Sequence, residues 1–376
     1  MDEQTLENEI EGIDSQIVEL LRRRAGRSDE LSQCSARPRS QLDRETVSRV
    51  TAQAGDGLSG CAAAVFRAVA AADQSRRSEA AGLRSKSWDA LSRALKETPP
   101  LFPENAAVAC QGVEGAYSQI ACEHLFKNPS IMFFSSFEHV FRAVEAGLCS
   151  YGVLPIENSA AGSVNAVYDL MLSHSFSIVR SARMRVSHCL LALPGTKPED
   201  IKEVFSHPQA IDQCAGFLAG MGNIKITPAA NTALAAKMLA QSGRTDAAAL
   251  SSRSCGENYG LEILKEGVQD KDGNYTRFIC IAKTPQVYPG ADWLSLMMTL
   301  PHKPGSLYNA LSVFNSLGIN VRKLESRPLP DREFEFMFYF DAEVSLYAPA
   351  AEKLLRDLES SCGLMRCLGA YSEVLC

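Results

Sequence analysis

The sequence predicts a multidomain chain with an all-α N-terminal segment, an α/β middle segment and an α+β C-terminal segment. Three observations carry this reading. Residues 1–95 show helical periodicity and almost no strand pattern. Residues 104–284 alternate short apolar runs with helical stripes, and residues 290–376 do so again in a shorter β-α-β-β-α-β order, the ferredoxin-like pattern. Proline-rich breaks, "KETPPLFPE" (96–104) and "TPQVYPGAD" (284–292), separate the segments.

In the first segment Leu6, Ile10, Ile13, Ile17, Leu20 and Leu21 step by four and three, which puts them on one helical face. Arg22, Arg23, Arg24 and Arg27 follow, placed by this reading at the C-terminal end of that helix, where cations suit its dipole. Two more helices are expected over about 41–53 and 61–78. Three such helices make a thin core for one chain, so pairing with a second copy is expected.

In the middle segment "NAAVACQG", "YGVLPIEN", "SHCLLALPG", "DAAALSS" and "TRFICIAK" read as strands. "SVNAVYDLMLSH" and "TALAAKMLAQSG" read as helices, and "VFSHPQAIDQCAGFLA" as a strand end running into one. In the last segment "WLSLMMTLP", "NVRKLESRP" and "EFEFMFYFDAEV" read as strands, with helices in "GSLYNALSVFNSLGI" and "AAEKLLRDLESSC".

With 376 residues the chain exceeds one typical core. Its 46% hydrophobic and 22% charged residues are those of a soluble globular protein. A net charge of −6 argues against a general nucleic-acid binder, although a locally positive pocket can still take an anionic substrate. The stretch "MDEQTLENEI" is too polar for a signal peptide, and no apolar run approaches the roughly 18 residues of a membrane span. Twelve cysteines lie scattered singly, with no C-x-x-C and no histidine pair at ligand spacing, so no metal site is expected and a reducing cytoplasm fits.

Polar residues gather where middle-segment strands meet loops: "GVEGAYSQIA" (112–121), "PIENSAAGSVN" (155–165), "SHPQAIDQC" (206–214) and "YTRF" (275–278). Gly112 and Gly115 permit tight turns and Ser118 suits a helix start. Thr276 and Arg277, at the mouth of a greasy strand, read alone either as a solvated strand end or as groups presented to a ligand. Four such junctions together favour the second reading.

These stretches, in this order, resemble prephenate dehydratase: "GVEGAYS", "LPIENSAAGSVN", "SHPQAIDQC" and "NYTRF", with "LESRP" (324–328) some fifty residues later. The resemblance implies a two-lobed, periplasmic-binding-protein-like α/β domain over 104–284 that converts prephenate to phenylpyruvate, carbon dioxide and water without a cofactor. Thr276 matches the catalytic threonine, and Asn158, Ser206 and Gln213 match substrate-orienting positions. Glu157 is a candidate acid partner, Ser118 and Ser159 are candidates for substrate binding, and Arg277 either grips a carboxylate or holds the loop. His207 and Cys214 are expected to pack. Arogenate is a substrate the same residues admit, and a ligand-binding sensor is the rival from another class. The C-terminal segment (290–376) resembles an ACT regulatory domain, with Pro304, Gly305, Ser306 and Leu307 at its glycine loop and Glu325, Ser326, Arg327 and Pro328 as its second motif. This implies L-phenylalanine as effector, bound between paired chains in a homodimer or homotetramer, with no nucleic-acid or membrane partner. The helices of 1–95 resemble a chorismate mutase domain, through Arg24, Arg44 and Glu45. Glu7 stands where an arginine is expected, and Asp73 and Arg77 where serine and glutamine are, so mutase action on chorismate is expected to be weak or absent; full bifunctionality is the alternative.

Overall fold

The structure, a computed structural model, describes residues 2–35, 37, 39–329 and 335–376. They pack as two compact units, one of 1–88, 298–321 and 347–365, the other of 89–297, 322–346 and 366–376.

The first unit is helical. α1 (Glu3–Cys34), α2 (Arg39–Gln53) and α3 (Gly55–Ala80) lead into α4 (Lys86–Glu97). Asp2 caps α1 by accepting from the Thr5 N–H at 2.8 Å. The arginine cluster does not end this helix: α1 runs on through "AGRSDELSQC" to Cys34, because Gly26 costs an otherwise continuous helix only about 1 kcal/mol. Two later helices, α12 (Ser306–Ser316) and α13 (Pro349–Ser361), join α3 here. Ser75 Oγ donates to Asp357 at 2.5 Å, and the Glu359 carboxylate accepts from the Lys86 and Ser87 N–H groups, each at 3.0 Å, at the start of α4. Of α1's apolar stripe, Ile10, Ile13 and Leu20 remain 59%, 56% and 59% exposed.

The second unit opens with β1 (Asn105–Gln111), α5 (Tyr117–Leu125), β2 (Asn128–Phe134), α6 (Phe137–Glu145), β3 (Tyr151–Asn158), β4 (Gly162–Ser163), α7 (Asn165–Ser173) and β5 (Ser177–Arg185). A second lobe follows: β6 (Cys189–Ala192), β7 (Glu203–Ser206), α8 (Pro208–Gln213), α9 (Ala215–Ala219), β8 (Lys225–Pro228), α10 (Thr232–Ser242), β9 (Ala247–Ser251), α11 (Arg253–Tyr259) and β10 (Glu262–Lys265). β11 (Tyr275–Ala282) returns the chain to the first lobe. Last come β12 (Trp293–Thr299), β13 (Asn320–Pro328), β14 (Phe336–Glu343), β15 (Leu364–Tyr371) and β16 (Glu373–Leu375), with α12 and α13 of the first unit falling between them in sequence. The strand expected over 333–344 begins outside the described residues.

The sheets run β16-β5-β11-β3-β1-β2, with β4 on β3, then β10-β6-β9-β7-β8, and β13-β14-β12-β15. β11 is antiparallel to both neighbours, while β1 is parallel to β2 and β3. Phe278 through Ala282 are at most 2% exposed, as a continuous apolar run demands when both sheet faces are covered. One face carries Val108, Val153, Phe278 and Cys280 under Ala121 and Leu125 of α5. On the other, Leu154 and Ile279 pack with Val140, Phe141, Val167 and Met171, and with Met297, Met337 and Tyr339 from the third sheet.

Candidate active site

The site is built where β3 and β11 end side by side. Thr276 pairs with Asn158 and Arg277 with Glu157 in the antiparallel register. Alternate residues of a strand point to opposite faces, so one face receives Asn158 and Thr276 and the other Glu157 and Arg277. Contacts bear this out: Asn158 Nδ2 donates to Thr276 Oγ1 at 2.9 Å, and Arg277 Nη1 lies 3.4 Å from Glu157 Oε1.

Two backbone N–H groups fix the orientation of Asn158, and the direction of the hydrogen bonds along the chain follows from it. Asn158 Oδ1 accepts from Ala160 N at 3.0 Å and Ala161 N at 2.9 Å, so Nδ2 must be turned toward Thr276 and toward Asn274 Oδ1, 2.7 Å away. With its oxygen used, Asn274 donates through Nδ2 to Gln213 Oε1 at 2.9 Å. Gln213 Oε1 also faces His188 Nε2 at 3.1 Å, which assigns the proton of neutral His188 to Nε2. Burial holds His188 below its ordinary value, against the opposing hydrogen bond to Gln213, and so favours the neutral ring. The chain of contacts joins both lobes. At its end Thr276, already accepting from Asn158, keeps its own O–H to donate. A donor hydroxyl beside amide groups, with no general base hydrogen-bonded to it among the described residues, suits protonation of a departing oxygen rather than nucleophilic attack.

The opposite face is ionic. Arg277, 4% exposed, donates to Asp341 Oδ2 at 2.6 Å and to the Tyr371 hydroxyl at 2.8 Å, lies 3.1 Å from Glu373 Oε1, and stacks 4.6 Å over Trp293. Burial opposes its charge, but Tyr371, Asp341 and Glu157 outweigh that and raise its pKa. Glu157 Oε2 meets Lys323 Nζ at 2.5 Å. Burial alone would raise the Glu157 carboxyl; Lys323 and Arg277 hold it below the ordinary carboxylate range instead.

Other sequence candidates are distributed around these faces. Ser159 Oγ donates to Gly273 O at 2.8 Å and accepts from Tyr275 N at 2.9 Å, which ties the turn before β11 to the end of β3. Ser206 is fully buried and donates to Leu250 O at 2.8 Å, bracing β7 on β9. Ser118 is buried in the first turn of α5, behind Gly112 and Gly115. Gly115 has φ of +83°, and a Cβ there would lie 2.6 Å from Cys255 Sγ of the second lobe, so only glycine lets this loop seat. Cys214 is fully buried with its thiol pushed up to about 12, and His207 Nδ1 accepts from Gln209 N at 3.3 Å to cap α8.

In the first unit Arg24 is bound to Asp73 at 2.7 Å, and Glu45 to Arg37 at 2.9 Å and Gln41 at 2.8 Å. A cavity of about 1590 Å³ there is lined by Arg44 of α2 together with Pro304, Gly305 and Ser306, but not Leu307. In the second unit Glu325 accepts from Ser163 Oγ, and Arg327 grips Asp169 at 2.8 and 2.9 Å; Ser326 and Pro328 complete that strand.

Sequence reasoning missed Asn274, His188 and Lys323. Asn274 carried a signal that was read only as turn chemistry, and no spacing marks the other two. No helix among the described residues is long and apolar enough to cross a membrane.

A family model described as prephenate dehydratase matches residues 108–286. The Arabidopsis thaliana protein named arogenate dehydratase/prephenate dehydratase 1, chloroplastic, is 40% identical over 281 residues, covering 70% of this chain and 71% of its own. A prephenate dehydratase from Arthrobacter aurescens, solved in complex with L-Phe, is 26% identical with a TM-score of 0.66, over 71% of this chain and 90% of that one. GqqA, described as a novel type of quorum quenching acylase, is 31% identical with a TM-score of 0.66, over 70% and 97%.

Proposed function

The chain belongs to the prephenate dehydratase family, and on that premise we propose that it dehydrates and decarboxylates prephenate or arogenate in phenylalanine biosynthesis. The observation that carries this reading is the Thr276 hydroxyl, made an outward donor by the bond it accepts from Asn158. Loss of the substrate's ring carboxylate as carbon dioxide pushes electrons through the ring and expels the 4-hydroxyl. A proton from Thr276 lets it leave as water, and the Thr276 oxygen, held by the Asn158 N–H, regains its proton from solvent before the next turnover. The hydroxyl is a weak acid, so it works as a polarised donor within the Asn158–Asn274–Gln213 chain. Gln213 and the Ser118 loop orient the substrate, while Ser206, expected from the sequence to do so too, acts from behind by bracing β7 on β9. From prephenate the product is phenylpyruvate, from arogenate phenylalanine; no metal or organic cofactor takes part in this scheme. An acylase reaction like that named for GqqA would need a base against the nucleophile, and Thr276 has amides there.

The last segment serves as an ACT-type regulatory domain for L-phenylalanine, a reading supported by its strand order and by the L-Phe complex of the Arthrobacter relative. The effector residues proposed for it are Pro304, Gly305, Ser306 and Leu307, in the first unit, and Glu325, Ser326, Arg327 and Pro328, in the second, each set taken by itself. The N-terminal helices act mainly in pairing two chains: Arg24 is neutralised by Asp73, which leaves little to clamp a dianion such as chorismate. Twelve unpaired cysteines suit a reducing compartment, either cytoplasm or a chloroplast as in the Arabidopsis relative's name. The test is one purified sample given prephenate, arogenate and chorismate in turn, with and without L-phenylalanine. Phenylpyruvate or phenylalanine should form and chorismate should persist. Binding of prephenate and arogenate without turnover of either would make the protein a sensor and overturn the dehydratase reading.

A further inference from the structure

β13 lays alternate side chains on the first lobe. Lys323 Nζ meets Glu157 Oε2 at 2.5 Å and Ser163 Oγ at 2.9 Å, Glu325 takes the Ser163 hydroxyl, and Arg327 holds Asp169 of α7 at 2.8 Å. Their targets bracket the turn from Asn158 to Asn165, the turn whose Ala160 and Ala161 N–H groups aim the Asn158 amide at Thr276. Lys323 is only 16% exposed in its side chain and lies 5.8 Å from the Tyr168 ring centroid, so its ammonium is fixed rather than roaming. Arg277, Thr276's neighbour, is held in the same way by Asp341 of β14.

We infer that Lys323 is a positioning residue for the Asn158–Thr276 pair, and that β13 is the element through which the C-terminal sheet sets the activity of the site. The inference rests on the dehydratase reading only for its kinetic arm. A strand cannot move one face without the other: drawing Glu157 toward or away from Lys323 rotates the end of β3, and with it the Asn158 amide. Loss of that ammonium leaves Glu157 tethered by Arg277 alone, at 3.4 Å. A ligand that shifts β13 therefore changes the aim of the Thr276 hydroxyl without entering the site.

The experiment compares the full-length wild type with Lys323→Met, Lys323→Arg and Arg327→Met. In Lys323→Met, kcat should fall at least tenfold with KM within about threefold, Lys323→Arg should recover part of the loss, and response to L-phenylalanine should weaken in both Met variants. A second readout needs no turnover. Backbone hydrogen exchange at Ala160, Ala161 and Tyr275 should quicken in Lys323→Met while β6–β10 stay as protected as in the wild type. Unchanged exchange at those three amides, or kcat within twofold of wild type, overturns the inference. If Lys323→Met does not fold, Arg327→Met, at a pair more exposed than Lys323–Glu157, decides it by the same exchange and kinetics. Quickened exchange in a protein inert toward prephenate and arogenate would sink the dehydratase reading and leave the coupling standing.

Discussion

At the residue scale the chemistry depends on which way a few hydrogen bonds point. Two backbone N–H groups orient Asn158, and the orientation passes along to Thr276. Thr276→Ala should lower kcat by roughly a hundredfold or more, the usual scale of a lost proton donor, with KM little changed. Steady-state kinetics on prephenate checks this; a loss confined to KM would place Thr276 in binding alone. His188 gives a second prediction. Its folded pKa lies below the ordinary 6.5, so the unfolded chain takes up the proton first. Stability contributed by the neutral ring is therefore complete above about 6.5 and declines as pH falls toward the folded value. Denaturant unfolding at pH 7 and pH 5 should show a smaller decline for His188→Asn than for the wild type, since His207 is common to both. That Thr276, Asn158 and Gln213 come together was legible because they punctuate apolar runs at recognisable junctions. His188 and Lys323 were not, because their roles come from what another lobe or strand places against them.

At the element scale, strands with a one-sided or unbroken apolar pattern were legible to the residue: β3 and β13 begin and end where the sequence places them. β2 and β5 were missed. β2 is a sheet-edge strand whose Met132 and Phe133 are 39% and 40% exposed, and β5 carries three arginines that hide its core face. α4 was missed as well, since "KSWDALSRALKE" abuts a proline-rich break that reads as linker. β15 offers a sharp test of packing. Gly369 has φ of +150°, and a Cβ there would sit 2.0 Å from Ile178 O of β5. Gly369→Ala must push two backbones apart and should cost at least about 3 kcal/mol, beyond the ordinary overpacking penalty. Thermal unfolding measures it; a change under about 1 kcal/mol would mean the strands separate freely.

At the scale of the whole molecule, a length of 376 residues predicts more than one core, and the apolar stripe of α1 is a surface that the described residues leave uncovered. Ile10 and Ile13 stay more than half exposed on a 32-residue helix. Ile10→Glu with Ile13→Glu should shift the protein to a smaller assembly in sedimentation equilibrium; an unchanged mass would remove α1 from the pairing surface. Segment boundaries in the sequence marked linkers, yet the packing units draw on separated stretches, because long-range contacts carry no local signature.

One pairing also bears on how the protein is made. β16 closes the open side of β5, in register from Glu373 opposite Ser181, and it lies roughly ninety residues downstream of β11. At a ribosomal pace of about 5–20 residues per second, the first sheet waits roughly 5–20 s for its last strand. Throughout that interval β5 offers a row of unpaired peptide groups to any neighbouring nascent chain. Arg180, Arg183 and Arg185 lie along that strand, and charged side chains of this kind disfavour the pairing of two such edges.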